Sequence, residues 1–145
     1  MLNAKSLQRQ NTIDRNLIER RIRAIWSCRA AGDFDGLRKY LAPDCVYIAN
    51  TWIGHPATLR REGREACIDV VRQIHILLEV LEAETAELVI DGEQAAACRR
   101  TKMRNRGSGE VATLDICHFL RFRDGLLVEM TERTDTLGMI RLCGE

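Results

Sequence analysis

The sequence predicts an α+β domain in which a curved, mixed or antiparallel sheet wraps a cone lined by three N-terminal helices. Two observations carry this expectation. Apolar residues recur at three- and four-residue steps in the N-terminal half and alternate in the C-terminal half. The alternating stretches are separated by short turn signals: Asp91-Gly92, the R-G-S-G run at 106–109 and the R-D-G run at 123–125. No repeat, low-complexity tract or linker interrupts the 145 residues, a length that suits one domain with its own core.

Residues 1–11 read as a flexible arm, loose or helical, ahead of a single domain over 12–145. From 12 to 31, Ile13, Leu17, Ile18, Ile22, Ile25 and Trp26 form one apolar helical stripe. Gly32 stops that helix and Asp33 suits the cap of the next. In the short second helix Phe34, Leu37, Tyr40 and Leu41 share a face, and Pro43 ends it. A strand at 44–49 and a loop at 50–63, holding Trp52, Gly54, His55 and Pro56, lead to a third helix over about 64–81. Its inward face carries Cys67, Val70, Val71, Ile74, Leu77, Leu78 and Leu81. Alternation in Ala86, Leu88 and Ile90 opens the meander, and strands follow at about 94–106, 110–122 and 126–136.

The formal net charge of +1 gives no global pull toward nucleic acid or anionic lipid. The polar N-terminus lacks the apolar run of a signal peptide, and no stretch is long enough to span a bilayer, so a cytoplasmic protein is expected. The six cysteines are scattered singly without a C-x-x-C pair, which fits free thiols in apolar segments. No His or Cys spacing suits a metal, and no cofactor motif is present.

The strand faces are the most informative feature. In the third meander strand the even positions read Ala112, Leu114, Ile116, His118, Leu120 and Phe122, apolar but for His118. In the fourth they read Leu126, Val128, Met130, Glu132 and Thr134, with Glu132 the charged exception. In the second, Arg100, Lys102 and Arg104 are solvated, so Ala95, Ala97, Arg99, Thr101 and Met103 face inward. Arg99, His118 and Glu132 therefore point at one interior. A two-residue loop at Gly107-Ser108, with glycine first, puts Ala97 opposite His118 and Arg99 opposite Ile116. A three-residue loop at Arg123-Asp124-Gly125 keeps the parity of the apolar faces, and puts Met130 opposite His118 and Glu132 opposite Ile116. His118 would then lie diagonal to Arg99 and Glu132, at roughly 7–8 Å between backbones.

Buried charge demands partners. One reading is a closed structural set, an Arg99–Glu132 ion pair with His118 hydrogen-bonded beside it. The other is a polar patch on the wall of an apolar pocket. Asp115 falls on the outer face between Arg100 and Arg133, as ordinary cross-strand charge pairing.

The run A-A-G-D-F-D-G-L-R-K-Y-L-A-P-D-C-V-Y at 30–47 resembles the helix-turn-helix-strand opening of the SnoaL-like polyketide cyclases, ketosteroid isomerase and limonene epoxide hydrolase. The run F-L-R-F-R-D-G-L-L-V-E-M-T-E-R-T-D at 119–135 resembles their last hairpin. The resemblance extends from about Thr12 onward and implies the nuclear transport factor 2-like fold, a cystatin-like α+β roll. It also carries a partial set of site residues. His118 falls where ketosteroid isomerase has its oxyanion-hole aspartate, while that enzyme's base falls near Ala49 and its tyrosine near Ile25. Arg99, Glu132 and Tyr47 match limonene epoxide hydrolase positions, but Thr101 replaces its acid and Ala49 its asparagine. Neither relative's reaction is therefore expected.

The expected site comprises His118 and Glu132 as catalytic residues, with Tyr47, Arg99, Thr101, Trp52, Ile116 and Met130 contacting substrate. Trp52 and His55 would sit at its mouth, while Trp26 and His75 read as core packing and helix edge. The resulting function is a lyase, isomerase or cyclase needing no cofactor and acting on a small, mostly apolar molecule by acid–base chemistry. The alternative is a non-catalytic binder of a small hydrophobic acid or phenol, held by Arg99. The outer sheet face, with Arg100, Lys102, Arg104, Asp115, Arg133, Cys117 and Phe119, would form a homodimer interface.

Overall fold

A computed structural model describes residues 3–51 and 58–144; Trp52 and His55 lie outside the described residues. The elements run α1 (Ala4–Ala31), α2 (Phe34–Arg38), β1 (Leu41–Ala49), β2 (Leu59–Glu62), α3 (Arg64–Leu77), β3 (Leu78–Asp91), β4 (Gln94–Asn105), β5 (Val111–Arg123), β6 (Leu126–Thr134) and α4 (Thr136–Cys143). One six-stranded sheet has the order β2-β1-β6-β5-β4-β3. Only β1 and β6 among these neighbours run parallel; the other pairs are antiparallel. This is the mixed, curved sheet with N-terminal helices that the sequence predicts. Among the described residues no helix is long and apolar enough to cross a membrane.

Local chemistry sets the helix ends. Asn3 caps α1 by accepting from the Ser6 backbone N–H, so residues 4–11 extend the helix and the expected arm is helical from Ala4. At the other end Gly32 takes a left-handed conformation and its N–H returns to Arg29. Asp33 caps α2 through the Gly36 N–H, as expected. Yet α2 stops at Arg38, and Leu41 and Pro43 belong to β1 instead of the helix. The Tyr40 carbonyl accepts from Leu127 N–H, so the chain has already joined the sheet there.

Three further boundaries differ from expectation. Strand β2 lies inside the stretch read as loop; its L-R-R-E sequence has one buried residue, Leu59, and so shows no alternation. Helix α3 ends at Leu77, not near Leu81, because residues from Leu78 pair with β4 along its whole length. The run L-E-V-L-E-A-E has good helix formers, and sheet pairing overrides that preference. Helix α4 follows the fourth meander strand, where the sequence reading places no element. Asp135 caps it through Gly138 N–H, and Met139 and Leu142 bury its inner face.

The β4–β5 register is as expected, with Ala97 opposite His118 and Arg99 opposite Ile116. The turn is different: Asn105 and Glu110 close a four-residue loop, and Gly109, not Gly107, has positive φ. Asn105 Oδ1 accepts from the Gly107 and Ser108 N–H groups and stabilises it.

The β5–β6 register corrects the expectation. Arg123 pairs with Leu126, leaving Asp124-Gly125 as a two-residue turn with φ of 52° and 77°, the pattern of a type I′ hairpin. Parity is then restored by a bulge, since Arg121 pairs with Glu129 and Phe122 with Leu127, which leaves Val128 unpaired. Glu132 consequently stands directly opposite His118, and Met130 opposite Leu120.

Gly125 carries the tight turn from which this register starts. Gly125→Ala forces a side chain into the left-handed region and should lower stability by about 1 kcal/mol in urea denaturation, without changing the slope of the transition.

Candidate active site

Buried apolar residues fall into two clusters. One contains Ile22, Ile25, Trp26, Tyr47, Val71 and Phe122, and the other Leu78, Met103, Leu114, Ile116 and Met139. Between them lies a cavity of about 540 Å³, lined by members of both, a size suited to one small organic molecule. Its walls come from α1, α3, α4 and the concave side of the sheet.

Its polar end is built from three places in the chain. The β6 residue Glu132 is buried, and its carboxylate accepts from Arg29 Nη2 of α1 at 3.3 Å. Tyr47 of β1 donates its hydroxyl to the same carboxylate oxygen. The Arg29 guanidinium also lies over the Tyr47 ring at 5.9 Å and reaches Met130 Sδ at 3.7 Å. Burial pushes the Glu132 carboxyl up, but Arg29, His118 and the Tyr47 hydrogen bond outweigh it and hold it below the ordinary carboxylate range. Burial and the neighbouring carboxylate push the Tyr47 hydroxyl well up, so it keeps its proton. The three groups form a closed, mutually satisfied set.

Across the sheet stand Arg99 and His118. Arg99 makes no ion pair among the described residues; its guanidinium lies over the Trp26 ring at 4.1 Å, and its enclosed Nε has no partner. Burial, with Arg29 pushing the same way, lowers its pKa to about 10, so it remains charged near neutrality. His118 packs edge-on against the same indole, with ring centroids 5.5 Å apart. Burial lowers its pKa to about 4, with Glu132 opposing the shift and both arginines adding to it. It is therefore neutral at pH 7. His118 lines the cavity, and its Nδ1 is enclosed without a partner.

The sequence brings Tyr47, Arg99, Thr101, Ile116, His118 and Glu132 to one cavity. Three details change. Glu132 pairs with Arg29 and not with Arg99, because the bulge at Val128 sets it opposite His118 and beside α1. No hydrogen bond joins Glu132 to His118, so the imidazole is not held by that carboxylate. Met130 lies outside the cavity, behind Arg29, against a separate void of about 10 Å³. Asp115 pairs with Arg100 at 3.3 Å on the outer face, while Arg133 stands opposite Cys117.

Sequence reasoning missed Arg29. Its signal was present: position 29 continues the stripe of Ile18, Ile22, Ile25 and Trp26 at helical spacing. Trp26 and His75 also line the cavity, beyond the packing and edge roles expected of them. Among the described residues no group of three or more His, Cys, Asp or Glu side chains could hold a metal ion.

A model of the SnoaL-like domain matches residues 22–130. No curated protein matches the chain in sequence. Solved structures share its fold. An NTF2-like protein of unknown function from Burkholderia pseudomallei K96243 superposes with a TM-score of 0.73 at 23% identity, covering 89% of this chain and 98% of that one. An NTF2-like protein from Burkholderia xenovorans LB400 gives 0.73 at 17% identity, covering 89% and 97%. An LEH-like epoxide hydrolase from M. tuberculosis gives 0.69 at 17% identity, covering 87% and 88%.

The His118 shift makes stability depend on pH. Between its ordinary value of 6.5 and about 4, the unfolded chain binds a proton there that the folded chain does not, so stability rises with pH across that window. Denaturation at stepped pH should show a loss of about 3 kcal/mol from this group on going from pH 7 to pH 4. That component should vanish in His118→Leu. The Glu132 carboxylate, held below its ordinary pKa, adds a loss that begins lower, as pH falls past the carboxylate range.

Proposed function

The chain belongs to the SnoaL-like domain family, and within that family we propose that it is a cofactor-independent isomerase, lyase or cyclase acting on a small, mostly apolar molecule. One observation carries this reading: a neutral, buried imidazole with one nitrogen free stands beside an unpaired guanidinium in a cavity large enough for a substrate. A base needs an unprotonated nitrogen within reach of the substrate, and the anion it creates needs a cation that is not already engaged.

His118 removes a proton from the substrate, forming an imidazolium and an enolate or alkoxide. The oxygen that gains negative charge is held by Arg99, where a donor in a dry site contributes about 3 kcal/mol. Glu132 stays ionised through Arg29 and Tyr47 and stabilises the imidazolium through space. The new anion also raises the imidazole's proton affinity, which offsets its low resting pKa. His118 then returns the proton to another atom of the substrate or to a leaving group, so the enzyme ends unchanged. Tyr47 acts by holding Glu132, and not as an oxyanion donor, because its proton is engaged. Thr101, Thr134 and Ile116 shape the wall beside these groups.

A thermal-shift screen of small carbonyl compounds and hydrophobic acids, followed by mass spectrometry of each stabilising hit, tests this. Conversion of a hit, with a loss of about a hundred- to ten-thousandfold in kcat for His118→Ala, supports the enzyme. Rate should stay flat from neutral pH down to about 5 and fall as His118 is protonated near 4. Hits recovered unchanged, or turnover indifferent to His118→Ala, overturn it in favour of a binding protein.

The same reading includes a cytoplasmic homodimer formed through the outer face of the sheet. On β5 that face exposes Phe119 at 54% and Val111 at 46%, beside the Arg100–Asp115 and Arg121–Glu129 pairs, an apolar centre with a charged rim. Light scattering after size-exclusion chromatography should give twice the 16.5 kDa chain mass, and Phe119→Asp should give the monomer. A wild-type monomer at micromolar concentration sinks the interface.

A further inference from the structure

The charge balance of the cavity bears on the substrate itself. The cations lining it are Arg23, Arg29 and Arg99, and the lining anion is Glu132. Arg23 is tied outside to Glu19 at 2.9 Å. Arg29 takes Glu132, whose carboxylate Tyr47 also occupies. His118 contributes no charge at pH 7. Arg99 is left half-buried, its Nε enclosed, with no counter-ion among the described residues. Such a group normally finds a partner.

The geometry around Arg99 is that of a prepared anion seat. The Trp26 indole supports one face of the guanidinium at 4.1 Å and fixes its plane, and a planar guanidinium offers paired N–H groups that match the two oxygens of a carboxylate. Beyond that polar end the lining is mostly hydrocarbon and thioether, Leu78, Val80, Met103, Ile116 and Met139, with Thr101 and Thr134 among them. The cavity is thus two-ended, with one uncompensated positive charge at one end and an apolar chamber at the other.

We propose that the natural ligand enters as a monoanion, a hydrophobic carboxylic acid whose carboxylate sits on the Arg99 guanidinium and whose body fills the chamber toward Met103 and Met139. The proposal rests on the reading of this cavity as the substrate site and adds the class of molecule. It separates from the catalytic reading because binding is measured with or without turnover. The free carboxylate, not a neutral carbonyl, phenol or ester, is what one unpaired guanidinium selects. Proton removal from the carbon beside that carboxylate puts the new charge on the oxygens Arg99 already holds, as the catalytic reading requires, whereas a second carboxylate elsewhere on the ligand would face Glu132 or the apolar wall.

The test uses the full-length protein and matched probes: naphthalene-2-carboxylate, 4-phenylbutyrate and decanoate, each beside its methyl ester and primary amide, with calorimetry as the readout at pH 7.5. At least one acid should bind, and about ten- to a hundredfold more tightly than its ester or amide. Arg99→Met should remove that preference and leave the ester's affinity within about threefold. Arg99→Lys should keep part of the preference, since charge survives and the fork does not. If Arg99→Met does not fold, Arg99→Gln carries the same comparison. Equal affinity for acid and ester, a preference that survives in Arg99→Met or Arg99→Gln, or failure of every acid to bind overturns the proposal. The catalytic reading is tested separately, by turnover in wild type and His118→Ala, so the carboxylate preference can fail while that reading stands.

Discussion

The buried Glu132 carboxylate organises the cavity. It joins Arg29 of α1 and Tyr47 of β1 to β6, segments 103 and 85 residues away along the chain. Taking the pair out of water costs several kcal/mol per ion, and only good geometry with added hydrogen bonds offsets it. The Tyr47 hydroxyl supplies such a bond, and the Arg29 side chain is packed against the Tyr47 ring and Met130. The consequence lies on the neighbouring strands β5 and β4. Once Glu132 is saturated by these partners, Arg99 has no carboxylate and His118 has no hydrogen-bonded acid to raise its basicity. The lack of partners at Arg99 and His118 follows from the completeness of the Glu132 set.

A single residue of backbone decides that division. The Asp124-Gly125 turn alone would carry the wrong face of β6 inward past the start of the strand; the extra residue at Val128 reverses the phase so that Met130 and Glu132 turn in. Bulges raise local twist, which fits a sheet that must curve around helices. Leu127 before the bulge and Met130 after it are both buried, so the hydrophobic effect holds the phase on either side.

The inward face of β5 was legible from alternation with His118 as its one polar exception, and that of β4 because the solvated Arg100, Lys102 and Arg104 leave the odd positions to face in. Hence Arg99, Thr101 and His118 could be placed from sequence. Glu132 was placed on the inner face too, but the β6 register was not legible, since Leu126, Leu127 and Val128 are apolar in succession and no pattern tells which is the inserted one. Arg29 was hidden for a different reason. A cation at the end of a helix reads as a favourable last-turn residue, and the charge it answers lies in another strand. Helix α4 escaped because Gly138 weakens a short pattern; its place depends on contact, as the glycine packs against Leu114 where a side chain would collide. Capping residues and glycines at turns carried local information well. Pairings between distant charged residues had no local signal to read.

The fold recurs among structures under a quarter identical to this chain, so its chemistry has to be argued from the polar set and not from the scaffold. Ala49 shows how such a set holds together. It lines the cavity and pairs in parallel register with Glu132. A carboxylic acid at 49 would place two carboxylates on neighbouring strands in one dry site, where they cannot both ionise easily. One would take a proton, and the Arg29–Tyr47 arrangement would lose its need for a full negative charge. With alanine there, Glu132 is the one anion among the described lining residues, and it remains ionised opposite His118. The small residue at 49 and the ionised Glu132 are therefore linked: with no second acid beside it, the carboxylate stays charged while His118 stands opposite it on β5.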